Sequence, residues 1–479
     1  MLKLLKSTEG ANDPKNLCHV VRALVRSRLM YGHEAFFAAH KKTLAKLQTA
    51  ECKFLRYALG MTNSVPQEVV YREIGWLPLL NEIRLRTCQY VYRASAVDNS
   101  TDEELDIHFD DMNCPVQQRN LMKTPRVNSR MLSVANFIEP IASKTGIFRS
   151  DVVKIPLNPI PPWESCDLNI KTSLSADLNK QDHLPLLSSL AKEIIDTEYR
   201  NATKVYTDGS KLENGQVCCA FYLPCLNISK RFRLNNEISI FSAEMFAIMK
   251  ALSFCNETPE RFSSIVILTD SKSSLEALYS KSKNRRDIST EIEQLLYELQ
   301  QNGCSVSFQW IPSHCYIAGN DIVDQAAKDA ANQPFITDNI KYTVSEIACK
   351  LKKNMQAEWK EQYCKLASDR NWIVQDIDQE GVCPDMPRHH LQILYRLRGK
   401  TYLTQYTRQL CLCNEPLSFD HIFVCQDLIP NMRTVNGISI KHHIPLSKRS
   451  LLTKHPTIGW ELVKAFIMEL CQTDIGHLV

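Results

Sequence analysis

Four acidic residues and a histidine in the middle of the chain have the types and spacing for metal-assisted hydrolysis: Asp208, Glu244, Asp270, Asp324 and His314. Asp208 lies in Lys204-Val-Tyr-Thr-Asp-Gly-Ser210, where Thr203 to Thr207 reads as a short strand rich in β-branched and aromatic residues. The sequence predicts Asp208 at the end of that strand, with Gly209 and Ser210 letting the chain turn; Asp-Gly alone is also an ordinary turn signal. Asp270 closes Ser264-Ile-Val-Ile-Leu-Thr-Asp270, a continuous apolar run that suits a strand covered on both faces. Glu244 is the only acid in the apolar run from Ile240 to Leu252, which reads as a largely buried helix. A buried ionised group is costly unless a partner compensates it; the plain alternative is a glutamate at the edge of the helix stripe, in water. Asp324 belongs to a last helix, expected from Asp321 to Ala331 with Asn320 as its cap, and His314 belongs to the loop Pro312-Ser-His-Cys-Tyr-Ile-Ala-Gly319.

Packing those helices on those strands can bring the four carboxylates together. Unpaired like charges would repel there, and divalent cations remove the conflict. Hard oxygen ligands with room for water suit Mg²⁺ or Mn²⁺. Two such ions about 3.5–4 Å apart form an in-line clamp for phosphodiester hydrolysis.

The elements that must position these groups follow in a definite order. Asn214-Gly215 is a hairpin signal, followed by strands over Val217 to Leu223 and Lys230 to Leu234. After the helix with Glu244 and the strand ending at Asp270, Ser271 is placed to cap a helix through Leu275 and Leu278. Lys281, Lys283, Arg285 and Arg286 form a basic connection to an amphipathic helix from Ile288 to Leu299. Val306-Ser-Phe-Gln-Trp-Ile311 alternates like a strand. The order is three strands, helix, strand, helices, strand, helix.

Tyr206-Thr-Asp-Gly-Ser210, Ser242-Ala-Glu244, Leu268-Thr-Asp-Ser271, Trp310-Ile-Pro-Ser-His314 and Gly319-Asn-Asp-Ile-Val-Asp324 resemble, in order, the type 1 ribonuclease H domain, with the flavour of non-LTR retrotransposons. The resemblance covers residues 203–332, within a domain set at 201–335. It implies an α/β fold, a ribonuclease H-like mixed five-stranded sheet flanked by helices. It also implies cleavage of the RNA strand of RNA–DNA hybrids with two Mg²⁺ (or Mn²⁺) ions. Asp208 would bridge both metals, Glu244 and Asp270 would complete one metal site, and Asp324 would hold the other ion with Asp208. His314 would assist proton transfer or product release. Asp321 competes for the last metal position; Asp324 is preferred because Gln325-Ala-Ala-Lys328 follows it, as in the family. Two positions depart from the family. Tyr316 stands where Gly is usual, which costs stability or reshapes the loop if that backbone needs φ > 0. Lys272 stands where an uncharged polar residue often follows the Asp-Ser pair.

The rest of the chain sets the context. The 479 residues suggest two to four domains, and the net charge of +4 is too mild to argue for nucleic acid. No apolar run approaches a membrane span, so no membrane partner is expected. The start of the chain is too quickly polar for a secretory signal. The 18 scattered cysteines then read as reduced thiols inside a cell, in nucleus or cytoplasm.

Residues 1–95 look helical, with apolar residues at Val20, Leu24, Val25 and Leu29 and at Leu44, Leu47, Phe54 and Leu55. Gly60 is expected to end a helix, and Pro66 and Gly75 to bracket the next. Arg22, Arg26, Lys41, Lys42, Lys46, Lys53 and Arg56 should lie mostly on exposed faces. Tyr31-Gly32, the helix from Leu44 to Gly60 and Glu73-Ile-Gly-Trp-Leu-Pro78 resemble the region after the polymerase palm of non-LTR reverse transcriptases. His108-Phe-Asp-Asp111 matches the polymerase aspartate pair only superficially and reads as a surface loop. The resemblance thus implies a truncated element without polymerase activity.

Residues 96–200, with prolines at 156, 159, 161 and 162, read as a linker with minor structure, notably near Leu184 to Ile195. Residues 336–479 look mainly helical. Cys411, Cys413, His421 and Cys425 form C-x-C-x₇-H-x₃-C, a candidate Zn²⁺ site whose alternative is buried free thiols and a satisfied histidine. Non-LTR elements often carry a similar module after the ribonuclease H domain, with C-x-x-C as the usual first pair. The competing functional reading is a catalytically inactive nucleic-acid-binding remnant of a transposable element.

Overall fold

The computed structural model describes residues 13–33, 36, 41–96, 141–154, 160–164, 168–174, 184–280, 284–369, 386–398, 410–411, 413–416 and 418–473. The expectations for residues 108–111, Lys281 and Lys283, and the prolines at 156 and 159 fall outside them. The described residues gather into two compact units, one up to Cys88 and again from Leu351, the other from Gln89 to Lys350.

The second unit is built on one mixed sheet. Its strands are β1 (Asn169–Lys171), β2 (Thr203–Lys211), β3 (Val217–Leu223), β4 (Ile228–Leu234), β5 (Ser264–Thr269) and β6 (Ser305–Trp310). They lie in the order β1-β6-β5-β2-β3-β4, with β2-β3-β4 antiparallel and β2-β5-β6-β1 parallel. The expected five strands are all present, and a sixth joins them. β1 comes from the stretch read as a linker; three residues are too short to show a strand period, and pairing of Ile170 with Phe308 decides their conformation. The helices are α1 (Leu184–Thr197), α2 (Ile240–Asn256), α3 (Lys272–Tyr279), α4 (Arg286–Gln301) and α5 (Ala318–Asp329).

Strand side chains alternate between two buried faces, which explains the unbroken apolar run of β5. Val205, Ile265, Ile267 and Phe308 pack with Ala247, Met249 and Leu252 of α2 and with Ile292 and Leu296 of α4. Their neighbours Tyr206, Val266 and Leu268 point the other way, against Val323, Ala326 and Ala327 of α5 and Ala191 and Ile195 of α1. A Cβ on Gly319 would overlap the Tyr206 ring at 2.2 Å, so only glycine lets α5 approach the sheet so closely. The β2–β3 hairpin turns at Gly215, with φ +86.

In the first unit, Gly60 (φ +73) and Gly75 (φ +69) end the helices Lys41–Leu59 and Gln67–Ile74, and Pro66 precedes the second, as expected. The helix Pro14–Val21 buries Leu17, Cys18 and Val21, while Leu24 is exposed. A π turn at Arg22–Arg26 rotates the face and breaks the simple stripe. Lys42, Lys46 and Lys53 are exposed, but Arg26 and Arg56 are buried. Arg26 Nε lies 3.2 Å from Glu51, and Arg56 Nε donates to the Val65 carbonyl at 2.9 Å. Leu391 and Tyr395 of the helix Arg388–Arg398 share the core of these N-terminal helices. Arg398 donates to Glu73 and to the Leu452 carbonyl, both at 2.8 Å. Described residues of the N-terminal and C-terminal segments therefore build one unit.

Candidate active site

Asp208 sits inside β2 and not at its end, and Gly209 and Ser210 are strand residues. The strand has two different edges. Toward β5 the pairing stops at Thr207 opposite Thr269; toward β3 it continues through Asp208 opposite Ala220 to Lys211. Asp270 follows Thr269 directly, so the parallel register sets Asp208 and Asp270 side by side, one step beyond the last pair. The backbone oxygen of Asp270 accepts from Trp310 Nε1 at 3.1 Å, which ties β5 to the end of β6 at this point.

Glu244 reaches the same place from α2. It is 6% exposed, which overturns the alternative of a glutamate in water. A Cβ on Gly209 would stand 2.8 Å from the Glu244 backbone nitrogen, so the bare glycine is what lets α2 lie against β2 here. The sequence reading took Gly209 for a turn; a glycine inside a strand pattern is the signal of close backbone approach.

One carboxylate oxygen from each of Asp208, Glu244 and Asp270 lies within 4.8 Å of the others. Burial, then the charges of Asp270 and Asp324, push Asp208 up to about 7, against some relief from the Gly209 N–H and Lys328. Burial, followed by Asp208 and Asp270, holds Glu244 well above the usual carboxylate range. Glu244 Oε2 is buried with no hydrogen-bond partner among the described residues. Buried polar atoms are rarely left unpaired, and three oxygen donors so close together could hold a hard divalent cation.

Asp324 is near enough to raise Asp208 but stands outside that group of three. It pairs instead with Lys328 Nζ at 2.6 Å, one turn along α5. Asn320 does not cap this helix. The helix starts at Ala318, and Asn320 is buried in its first turn. Ser271 precedes α3 without a side-chain cap, its Oγ lying 2.8 Å from Ser274 Oγ. Lys272 is half exposed and lies 3.9 Å from Glu276.

His314 is exposed in the β6–α5 loop. Its φ is +56 and that of Tyr316 is +55, so the position usual for glycine does adopt the left-handed backbone and carries a tyrosine that is 84% exposed. Cys315 and Ile317 point inward and hold the loop, and the Cys315 carbonyl accepts from Ser188 Oγ of α1 at 2.5 Å.

In the first unit, Cys411, Cys413, His421 and Cys425 also converge, with one ligand atom of each within 4.8 Å of the others. Cys411 and Cys425 sulfurs are 3.5 Å apart, Cys413 and Cys425 3.8 Å, and Cys413 Sγ is 3.2 Å from His421 Nε2. A tetrahedron with Zn–S near 2.3 Å has edges of about 3.8 Å, so the donors fit. The one-residue gap is accommodated by a tight turn, with the Asn414 N–H donating to the Cys411 carbonyl and Asn414 at φ +63. His421 Nδ1 faces Glu415 at 3.2 Å, the partner that fixes a ligand imidazole with Nε2 toward the sulfurs.

Residues 200–332 match the family model described as RNase H. Among solved structures, RNase H1 from the halophilic archaeon Halobacterium salinarum NRC-1 is similar at 18% identity and a TM-score of 0.23, covering 27% of this chain and 97% of that one. No curated protein matches the sequence.

Proposed function

We propose that the chain is an endonuclease that hydrolyses the RNA strand of RNA–DNA hybrids. The carrying observation is the convergence of one carboxylate oxygen each from Asp208, Glu244 and Asp270, with Glu244 Oε2 buried and unpaired, within the segment that matches RNase H. Asp208, Glu244 and Asp270 would hold one cation, and Asp324, once it leaves Lys328, would help Asp208 hold a second. Bound Mg²⁺ or Mn²⁺ would activate the attacking water and neutralise charge at the leaving oxygen.

The remaining chemistry belongs to side chains. The buried carboxylates give up protons to act as ligands, because only ionised oxygens bind the cation well. His314, exposed in the β6–α5 loop, is read as the group that passes a proton toward the leaving group. Hybrids are recognised by shape, 2′-OH and phosphate contacts, so no sequence readout is expected. The order of the motifs supports descent from a retrotransposon protein. The scattered thiols, none of them in a disulfide among the described residues, are read as reduced, in nucleus or cytoplasm. The Cys411, Cys413, His421, Cys425 cluster is read as a structural Zn²⁺ site, since four protein donors leave no open position.

Two observations favour a second reading, a nucleic-acid-binding remnant without turnover: Asp324 is paired with Lys328, and Tyr316 carries the left-handed backbone. The test is hybrid cleavage with Mg²⁺ by the purified chain beside Asp208→Asn. Equal rates, or no cleavage with either Mg²⁺ or Mn²⁺, would sink the nuclease. Salt-sensitive hybrid binding without cleavage would establish the remnant.

A further inference from the structure

Glu346 lies beyond the RNase H match, in the first turn of the helix Val344–Asp369. Locally it looks like half of a capping box, Thr343-Val-Ser-Glu346. Its Oε2 does accept from the Thr343 N–H at 2.8 Å and from the Thr343 hydroxyl at 3.0 Å. Its Oε1 does something a capping box has no need of. It accepts from the Ser239 N–H and from the Ser242 hydroxyl, both at 2.7 Å.

Ser239 is the N-cap of α2, and its own hydroxyl accepts from the Ser242 N–H at 3.1 Å. Glu244 follows two residues after Ser242. One carboxylate thus holds the first turn of the helix that delivers Glu244, at the helix end where negative charge is favoured. Glu346 is itself buried, 7% exposed. Arg285, buried and at φ +53, faces it with Nη1 at 3.4 Å and also donates to the Lys341 carbonyl at 2.7 Å. Burial works against the charge on Glu346, yet Arg285 and the hydrogen bonds from Ser242, Ser239 and Thr343 outweigh it and hold its carboxyl below the usual range.

The same turn of α2 also meets Gly209, which admits Ala243 and Glu244 to within contact of β2. Gly209 sets how near the turn lies, and Glu346 sets where along its own axis the helix begins. A slide of the helix at that clamp moves Glu244 relative to Asp208 and Asp270.

We infer that Glu346 is a positioning residue for the acidic cluster: through Ser239 and Ser242 it locks the start of α2 and thereby sets how tightly Asp208, Glu244 and Asp270 bind a divalent cation. This rests on the metal reading of the cluster. It also means that the working nuclease unit extends past residue 332 to include the turn at Thr343 to Glu346.

The experiment is calorimetric Mn²⁺ titration of the full chain, run beside hybrid cleavage at increasing Mn²⁺, for wild type, Glu346→Gln, Ser242→Ala and Asp208→Asn. Glutamine keeps the volume but turns one acceptor into a donor that faces donors. The expected result is a loss of about 10-fold in Mn²⁺ affinity for Glu346→Gln, the lower range for a group that orients a metal ligand. Cleavage should return toward the wild-type rate at saturating metal, and Ser242→Ala should shift affinity in the same direction by less. A folded Glu346→Gln protein with wild-type Mn²⁺ affinity overturns the inference. If that variant does not fold, Ser242→Ala decides, and unchanged affinity there overturns it too. Wild-type protein that binds no Mn²⁺, or binds it as well after Asp208→Asn, removes the metal reading and this inference with it; normal wild-type binding with unmoved variants removes the inference alone.

Discussion

A Cβ added to Gly209 would lie 2.8 Å from the backbone nitrogen of Glu244 and 3.0 Å from its Cγ. The nearest atom is backbone, so the helix has to move as a body. Gly209→Ala is therefore expected to cost about 1–3 kcal/mol, the usual range for overpacking a tight core. It should also weaken Mn²⁺ binding, because the displaced helix carries Glu244. Denaturant unfolding and a Mn²⁺ titration on the same preparation check both effects; wild-type values in each would show that the contact is slack.

The raised carboxyl of Asp208 predicts a pH dependence with a definite sign. Its folded value, about 7, lies above the ordinary 3.8. The folded state therefore binds more protons than the unfolded state between those limits, and metal-free stability falls as pH rises from 3.8 toward 7. Glu244 is shifted the same way and adds to the loss as pH rises above its ordinary 4.5. Mg²⁺ binds the ionised forms, so the rise in Tm on adding Mg²⁺ should grow across the same window. Thermal melts with and without Mg²⁺ at several pH values measure it, and a Mg²⁺ effect that shrinks with pH would contradict the assignment.

His314 and Asp208 should fail differently. His314 lies outside the group of three carboxylates and faces solvent. His314→Ala is expected to slow hybrid cleavage by at most about 10²–10⁴-fold while leaving its Mg²⁺ requirement in place. Asp208→Asn should cost more and change the metal requirement, because it removes one of the three clustered carboxylates. If the two variants matched in rate loss and metal requirement, His314 would belong to the metal site.

Tyr316 holds a left-handed backbone with its ring in solvent. The conformation costs a bulky residue about 1–2 kcal/mol. Glycine would remove that cost but adds unfolded-chain entropy worth about 0.5–1 kcal/mol. Tyr316→Gly should therefore be neutral or stabilising by up to about 1 kcal/mol by denaturant unfolding. A clear loss of stability would mean that the ring makes contacts its exposure denies.

The cysteine cluster should hold one zinc. Elemental analysis of purified chain is expected to find it, and Cys425→Ser should lose it. Chelation should lower the melting temperature of the unit whose core includes Cys411, Ile422, Phe423 and Cys425. Zinc-free protein of unchanged stability would return the four residues to ordinary buried thiols and a histidine.

The strands and helices that carry the acidic residues of the central domain were legible in sequence because local patterns mark them. A β-branched run ending at Thr207, a fully apolar run ending at Thr269 and a buried-looking helix with a single acid each reflect short-range constraints. Periodicity and turn residues report such constraints directly. The order of the strands and helices followed from the same signals. Tertiary structure alone decided how the pieces meet. Asp208 belongs inside β2 because the two edges of that strand end at different residues, a fact of register with β3 and β5. Gly209 meets Glu244, 35 residues later in the chain, only through packing, and its Asp-Gly context reads locally as a turn. β1 is too short to announce itself, and it exists because β6 offers an edge. Glu346 reads locally as a cap for its own helix; that its other oxygen reaches Ser239, 107 residues earlier, depends on how the chain returns to the sheet. A sequence carries such long-range contacts only as sums of many weak preferences, and the folded chain resolves them through burial and exclusion of volume.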